Sequence, residues 1–172
     1  MVRGIRLALP SLVSASRLAM VVPLFGAIVM GRRQAALTWL LAICVTDVVD
    51  GVLARRLDAA TDAGAYLDVS ADFVVVAVGF VALARVGVLP SWMLALIGVM
   101  FAQFVLSSTR RRPLYDPVGR YYGGLLFAVI AVALVIPDEA VWHVLTLGVL
   151  GVTLVSWLSR LWYLRTATPP PR

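Results

Sequence analysis

Residues 46–73 read TDVVDGVLARRLDAATDAGAYLDVSADF, and this stretch holds six of the nine acidic residues in a chain of 172. The rest of the chain is mostly apolar, since 62% of all residues are hydrophobic and the mean hydropathy is +0.96. Soluble globular proteins are nearer half apolar, and a charge inside a membrane segment is costly. The concentration of carboxylates in one stretch of such a chain therefore needs a functional explanation.

Apolar runs long enough to cross a bilayer occupy nearly the whole sequence. About 20 apolar residues in a helix span the hydrocarbon core, and the sequence predicts six such helices, at residues 11–30, 34–54, 65–86, 88–108, 121–137 and 140–162. We therefore expect an all-α integral membrane bundle of six transmembrane helices, forming one domain over residues 1–165. The three consecutive prolines that follow cannot continue a helix, so residues 166–172 are predicted to be a disordered cytoplasmic tail.

The arginines predict the orientation of this bundle. All fifteen basic residues are arginines; with cytoplasmic N- and C-termini, twelve lie inside, and the outside carries only Arg32, Arg33 and Arg85. Positive residues concentrate on the cytoplasmic side of membrane proteins. We expect a multi-pass protein of the cell (inner or plasma) membrane whose charge favours anionic lipid, with no nucleic-acid partner.

Four carboxylates have the spacing of two helix faces. Asp47 and Asp50 fall in the last turns of the second helix and Asp68 and Asp72 in the first turns of the third, and each pair shares a face. The loop between them, near residues 56–63, is short and cytoplasmic, so the two acidic faces can meet at inner-leaflet depth. Such a cluster needs a cation. Carboxylates without His or Cys favour Mg²⁺ or Mn²⁺, and four of them could hold two ions, as in phosphoryl displacement.

Small residues flank these carboxylates. Gly51, Ala54 and Gly64 would leave a groove where phosphate groups approach the backbone, although small residues also pack between membrane helices. Arg55 could bind a diphosphate, or it could serve only the orientation of the chain. The single cysteine, Cys44, lies in an apolar run and is expected to be a packing residue.

The acidic stretch also contains one longer pattern. It reads D-x-x-D-G-x-x-A-R-x8-G-x-x-x-D-x-x-x-D, with fixed positions at Asp47, Asp50, Gly51, Ala54, Arg55, Gly64, Asp68 and Asp72. This resembles the signature of the CDP-alcohol phosphotransferases, and all eight fixed positions match. The resemblance extends to the chain length, the number of helices and the cytoplasmic placement of the pattern.

The resemblance implies a set of roles. The metal ions would be bound by Asp47, Asp50 and Asp68, with Asp72 nearby as a further ligand. Asp72 would also be the general base that takes the proton of the acceptor hydroxyl. The CDP site would be lined by Asp47, Gly51, Ala54, Arg55 and Gly64. Members of the family typically form homodimers, and they transfer a phosphatidyl group from CDP-diacylglycerol to a small alcohol and release CMP.

Residues outside this pattern indicate which acceptor alcohol is used. Arg17 stands where many members carry an arginine in the first helix, and it could face the site or extend to the membrane interface. Arg110 and Arg120 could bind a phosphate on the acceptor, or they could only set the topology. Phe73 argues the other way, because many members with phosphorylated acceptors carry Lys or Arg there. The expected acceptor is glycerol 3-phosphate, held by Arg120, Arg110 and Arg17; an inositol phosphate or serine is the alternative.

Two other classes of protein also fit an apolar chain with acidic residues. A cation transporter would place carboxylates near the bilayer midplane on several helices, often at breaks in those helices. A membrane scaffold would have no ordered carboxylate spacing. The confinement of the acids to two helix ends beside arginines favours the enzyme over both.

Overall fold

The structure, a computed structural model, describes residues 17–56, 62–107 and 119–166. Within these ranges the side chains of residues 50–51, 53–56, 62–68, 104, 107, 119–120 and 160–166 are left undescribed. The described residues form six helices and no strand, which confirms the prediction of an all-α fold. The helices are α1 (Arg17–Val29), α2 (Arg33–Arg56), α3 (Asp62–Arg85), α4 (Trp92–Ser107), α5 (Gly119–Val135) and α6 (Glu139–Thr166).

Glycines end α1 and α3 in the same way. Gly31 and Gly87 have φ angles of 68° and 75°, in the left-handed region that residues with a Cβ rarely adopt. The amide of the residue after each glycine donates back into the helix, from Arg32 to the Ala27 carbonyl at 2.8 Å and from Val88 to the Leu83 carbonyl at 2.9 Å. These bonds satisfy carbonyls that would otherwise lack a partner. Both helices therefore stop abruptly, and the next helix can turn back.

The turn between α5 and α6 is set by Pro137 and Asp138. Proline lacks the amide that would continue α5, which ends at Val135. The Asp138 carboxylate Oδ1 accepts the amides of Ala140 and Val141 at 2.9 and 3.2 Å. It thereby caps the first turn of α6, where amides have no partner within the helix.

The observed helix bounds differ from the predicted spans mainly where local chemistry overrides hydropathy. α4 begins at Trp92 instead of residue 88, because Gly87 ends α3 and Pro90 with Ser91 forms the entry turn. α2 continues as far as Arg56, and α3 already begins at Asp62. The loop between them is therefore shorter than the predicted loop at residues 56–63. Residues 11–16 of the first predicted span and residues 167–172 of the predicted tail lie outside the described residues; Thr166 is the last residue of α6.

α5 lies at the centre of the packing. It contacts α2, α3 and α6, while α4 packs on α3 and α6. α3 and α5 approach each other closely at Gly79, where an added Cβ would come within 2.7 Å of the Ile130 Cδ1 atom. The core around this contact contains fully buried side chains from four helices: Leu24, Ile43, Val75, Phe80 and Ile130.

One helix in the described part of the chain meets both the length and the composition needed to cross a membrane. It is the Glu139–Ser159 part of α6, with a mean hydropathy of 1.8. Three helices are apolar but shorter, namely Arg17–Val29, Trp92–Gln103 and Tyr121–Val135. The predicted number of helices is thus confirmed. One of the six, α6, is confirmed to be long and apolar enough to cross a membrane.

Large apolar side chains cover much of the described surface. Val22, Leu41, Leu106 and Leu147 are each more than half exposed, and they come from four different helices. Water-soluble domains rarely expose large contiguous apolar surfaces, whereas lipid favours them. This outer surface suits contact with hydrocarbon.

The Asp138 cap gives a test of this fold. Replacing Asp138 by Ala removes the acceptor for two amides, so the free energy of unfolding should fall by about 1 kcal/mol. Asp138→Asn keeps an oxygen acceptor and serves as the matched control. Thermal unfolding of the detergent-solubilised chain measures both, and equal melting temperatures for the Ala variant and the wild type would contradict the cap.

Candidate functional site

A buried arginine joins two of the aspartates of the sequence pattern. The Arg17 side chain on α1 is 1% exposed. Its Nη2 atom lies 2.7 Å from Oδ1 of Asp47 on α2, and its Nη1 atom donates to Oδ1 of Asp72 on α3 at 2.8 Å. The two nitrogens of one guanidinium thus bind carboxylates from two different helices. Charge-assisted bonds of this length are the stronger kind of hydrogen bond.

The packing of α1 fixes the position of this guanidinium. Val21 and Leu24, one and two turns beyond Arg17, are buried in the core. Farther along, the Arg85 guanidinium at the end of α3 lies 5.5 Å from the centre of the Phe25 ring. The earlier residue of α1, Arg17, contacts the earlier residue of α3, Asp72, and the later Phe25 contacts the later Arg85. The two helices α1 and α3 therefore run in the same direction. Of the two alternatives for Arg17, the observed contacts favour the one in which it faces the acids of the sequence pattern.

The carboxylates differ from the arginine in their exposure. The side chains of Asp47 and Asp72 are 38% and 33% exposed, against 1% for Arg17. The guanidinium thus approaches from the protein interior, while the acids remain accessible from outside the bundle. Two carboxylates this close repel each other, and the arginine offsets that repulsion. The site is a buried cation beneath two accessible anions.

The two described acids lie between two and three turns from the helix ends that face the connection between α2 and α3. Asp47 precedes the end of α2 by nine residues, a distance of about 14 Å along the helix. Asp72 follows the start of α3 by ten residues, or about 15 Å. The predicted spans place each of these acids seven residues from those helix ends. The difference is thus two to three residues, and it arises because both helices continue past the apolar residues that defined the spans.

Most other predicted site residues lie outside the described side chains. The helical backbone runs without a break through positions 47–56 and 62–72, as the three- and four-residue spacing requires. The side chains so affected are Asp50, Gly51, Ala54, Arg55, Gly64, Asp68 and Arg120. Arg110 lies outside the described residues altogether. Their predicted roles remain predictions.

The donor set suits a hard divalent cation. Asp47 and Asp72 offer only carboxylate oxygens, which Mg²⁺ and Mn²⁺ prefer. Among the described side chains no group of three or more His, Cys, Asp or Glu comes together. The two described acids are thus half of a predicted set whose other half, Asp50 and Asp68, falls outside the described side chains.

Phe73, which follows the last aspartate, packs against α4. Its ring stacks on that of Phe101 with centroids 3.9 Å apart and an angle of 11° between planes. Consecutive helical residues point about 100° apart, so this contact turns Phe73 away from the direction of Asp72. The stack braces α3 against α4 and thereby helps to hold Asp72 towards Arg17.

A second polar contact, which the sequence did not single out, joins α5 and α6. The hydroxyl oxygens of Tyr122 and Thr153 lie 2.7 Å apart, and both side chains are buried. The Thr153 hydroxyl also donates to the Val149 carbonyl at 2.6 Å. Since it has one proton, the Tyr122 hydroxyl must donate to Thr153. Ser156, also buried, is three residues beyond Thr153. Two hydroxyl residues at this spacing share one face of an apolar helix, and that pattern could have predicted a buried polar contact from the sequence.

Cys44 and His143, the single cysteine and the single histidine of the chain, lie outside the Arg17 contact. Cys44 is half-buried one turn before Asp47, within electrostatic reach of Asp47, Asp72 and Arg17. His143 is 74% exposed and lies 3.7 Å from the Glu139 carboxylate one turn earlier. Neither belongs to the charged contact made by Arg17.

Comparison with known proteins supports the pattern found in the sequence. A family model described as CDP-alcohol phosphatidyltransferase matches residues 7–157. A protein named "Probable phosphatidylglycerophosphate synthase", from two strains of Mycobacterium tuberculosis, is 41% identical over 54 residues. That match covers 31% of this chain and 26% of the relative, so the aligned part spans about a quarter of the relative's length.

The direction of the Tyr122–Thr153 hydrogen bond predicts which of two substitutions destabilises the protein more. In Tyr122→Phe, Thr153 still donates to Val149, so the free energy of unfolding should fall by about 1 kcal/mol or less. In Thr153→Val, the buried Tyr122 hydroxyl loses its acceptor, and a loss of about 1–3 kcal/mol is expected. Thermal unfolding in detergent gives the order of the two variants. The reverse order would contradict the assigned direction of the bond.

Proposed function

The chain belongs to the CDP-alcohol phosphatidyltransferase family, and on this premise we propose that it makes a phospholipid. It transfers the phosphatidyl group of CDP-diacylglycerol to the hydroxyl of a small polar alcohol and releases CMP. The observation that carries the proposal is the contact of Arg17 with Asp47 and Asp72, because it brings together acids from both halves of the family pattern.

The acidic residues would hold the metal ions. We assign this role to Asp47, Asp50, Asp68 and Asp72, whose oxygens suit two Mg²⁺ or Mn²⁺ ions. When bound, such ions neutralise the diphosphate and the charge that develops on the leaving CMP. The CDP group itself would lie along positions Asp47, Gly51, Ala54, Arg55 and Gly64, where small residues permit close approach.

Asp72 is assigned as the general base. An alcohol is a weak nucleophile at neutral pH, so a carboxylate within hydrogen-bond reach assists it by taking the hydroxyl proton. The alcohol oxygen then bonds to the phosphorus attached to diacylglycerol, and the bond from that phosphorus to the bridging oxygen breaks as CMP leaves. Arg17 binds Oδ1 of Asp72, which restricts the direction of the carboxylate.

The membrane supplies the setting for these two substrates. The apolar outer surface and the spanning length of α6 support a six-helix bundle in a membrane. That this is the cell membrane, with both termini and the site on the cytoplasmic side, is proposed from the distribution of the arginines. A donor with two acyl chains would enter from the lipid, and a soluble acceptor from the cytoplasm. The unit is proposed to be a homodimer, as is typical of the family.

Glycerol 3-phosphate is the proposed acceptor. The name of the M. tuberculosis relative supports it, as do the arginines at positions 110 and 120, which suit a phosphate. Arg17 is a weaker candidate for this role than its sequence position implied, since its guanidinium is already bound to two carboxylates. An inositol phosphate or serine is the alternative, and family membership leaves the transporter reading without support.

A direct assay tests the proposal. Purified protein with CDP-diacylglycerol should release CMP only when Mg²⁺ or Mn²⁺ and an acceptor are present. Mass analysis of the lipid product, over a panel of glycerol 3-phosphate, inositol phosphate and serine, identifies the acceptor. Absence of metal-dependent CMP release with every acceptor would refute the function, and faster use of serine than of any phosphorylated alcohol would refute only the acceptor.

Asp50→Asn should abolish transfer while leaving the protein inserted in the membrane. Loss of a charged ligand from the centre of the pattern should empty a metal position. Asp138→Asn is the matched control, because it makes the same change at the opposite end of the bundle. A turnover within about threefold of wild type for Asp50→Asn would contradict the metal assignment; that threshold is about 0.6 kcal/mol in barrier height.

Asp72→Asn should reduce the transfer rate far more than it reduces binding of CDP-diacylglycerol. A base acts on the acceptor, and the donor keeps its other ligands. Separate measurements of donor binding and of turnover under saturating donor make the comparison. An equal loss in both would mean that Asp72 acts mainly as a ligand.

Arg120→Ala should raise the Michaelis constant for the acceptor and leave that for the donor nearly unchanged. The guanidinium is proposed to hold the acceptor phosphate through paired hydrogen bonds. Arg85→Ala, at the opposite end of the bundle, is the control. A rise in the donor constant alone would assign Arg120 to CDP-diacylglycerol instead.

A further inference from the structure

The charge balance around Arg17 raises the question of what this cation does when metal is bound. The three side chains Arg17, Asp47 and Asp72 carry a formal net charge of minus one when all are ionised. Without Arg17 the same two acids would carry minus two. The arginine thus supplies part of the positive charge that a metal ion would otherwise have to supply.

Arg17 has no easy way to withdraw from these acids. Its side chain is 1% exposed, and its helix is anchored by Val21 and Leu24 in the core. A guanidinium moved away from Asp47 and Asp72 would lose two short charge-assisted bonds at a buried position, which is strongly unfavourable. Any cation held by Asp47 and Asp72 therefore shares their negative charge with Arg17, and the two positive charges repel each other.

We propose that Arg17 is a fixed counter-cation that stabilises the metal-free site and, for the same reason, weakens its affinity for a divalent cation. The proposal rests on the metal-dependent function proposed above. It makes Arg17 a positioning residue: it acts through Asp47 and Asp72 and keeps α2 and α3 together when no metal is present. The site would then exchange its metal readily instead of depending on it for folding.

Two substitutions separate charge from shape. Arg17→Gln removes the charge and keeps a hydrogen-bond donor, so the metal-free protein should melt at a lower temperature while Mn²⁺ binds on the order of tenfold more tightly, as expected when a nearby like charge is removed. Arg17→Lys keeps the charge as a single ammonium. Its Mn²⁺ affinity should stay within about threefold of the wild type, since the repulsion persists.

Arg85→Gln is the control for loss of an arginine. Its guanidinium lies over the Phe25 ring, and position 85 is thirteen residues beyond Asp72, or about 20 Å along α3. This variant should bind Mn²⁺ as the wild type does. Any tightening seen in Arg17→Gln but absent from Arg85→Gln is then due to the charge beside the acids.

The experiment uses the full chain in detergent without any substrate. Mn²⁺ affinity is read from the free-ion signal in electron paramagnetic resonance, and thermal unfolding is followed in chelator and at graded Mn²⁺ concentrations. Binding to the folded state raises the melting temperature, so the Gln variant should gain more from Mn²⁺ than the wild type does. A lower melting temperature in chelator, joined with tighter Mn²⁺ binding, is the expected result.

Several outcomes would overturn the proposal. Weaker or unchanged Mn²⁺ binding in Arg17→Gln would make Arg17 an organiser of the metal site instead of a competitor. Failure of the Gln or the Lys variant to fold at any Mn²⁺ concentration would show a structural need that charge alone does not meet, and absence of Mn²⁺ binding to the wild type would remove the premise. Because no substrate is used, a wild type that binds Mn²⁺ and releases no CMP would refute the transferase function and leave this proposal standing.

Discussion

The organisation of the bundle depends on one cation bound between two anions. Arg17 links α1 to α2 through Asp47 and to α3 through Asp72, with both contacts shorter than 3 Å. Apolar packing alone would bring these helices together in more than one rotation, because contacts between apolar surfaces have little direction. The hydrogen bonds of a guanidinium do have direction, so they select the rotation in which Asp47 of α2 and Asp72 of α3 both face Arg17.

The bracing on the other side of α3 is apolar. Phe73 stacks on Phe101 of α4, and Gly79 lets α5 approach closely at Ile130. The orientation of Asp72 is thus restrained by its own charged contact with Arg17 and by the aromatic contact of the adjacent residue, Phe73, with α4. A candidate base gains from such restraint, since proton transfer depends on the direction of the carboxylate as well as on its distance.

The sequence predicted the number of helices, because long apolar runs depend on local properties. Of the predicted acidic cluster, the described residues show Asp47 and Asp72 bound to the same guanidinium. Helix ends were less predictable: the entry to α4 follows from Gly87 and Pro90, and hydropathy does not register such turn chemistry. Arg17 was open between a site role and the interface, because its partners are 30 and 55 residues away along the chain. A charged residue in an apolar helix is costly unless it is paired. The presence of Arg17 in such a helix could therefore have predicted an acidic partner inside the protein.

The length of α2 beyond the acids has a consequence for the competition between alcohol and water. Asp47 is fourteen residues from Arg33, about 21 Å along an upright helix, within a hydrocarbon layer of about 30 Å. In the proposed orientation the carboxylates would therefore lie below the cytoplasmic surface of the bilayer, between helices that continue past them. Water is the most abundant rival nucleophile for a diphosphate, and a site at that level would meet less of it than a site at the membrane surface. A recessed site would favour transfer to an alcohol that binds there over wasteful hydrolysis of the lipid donor.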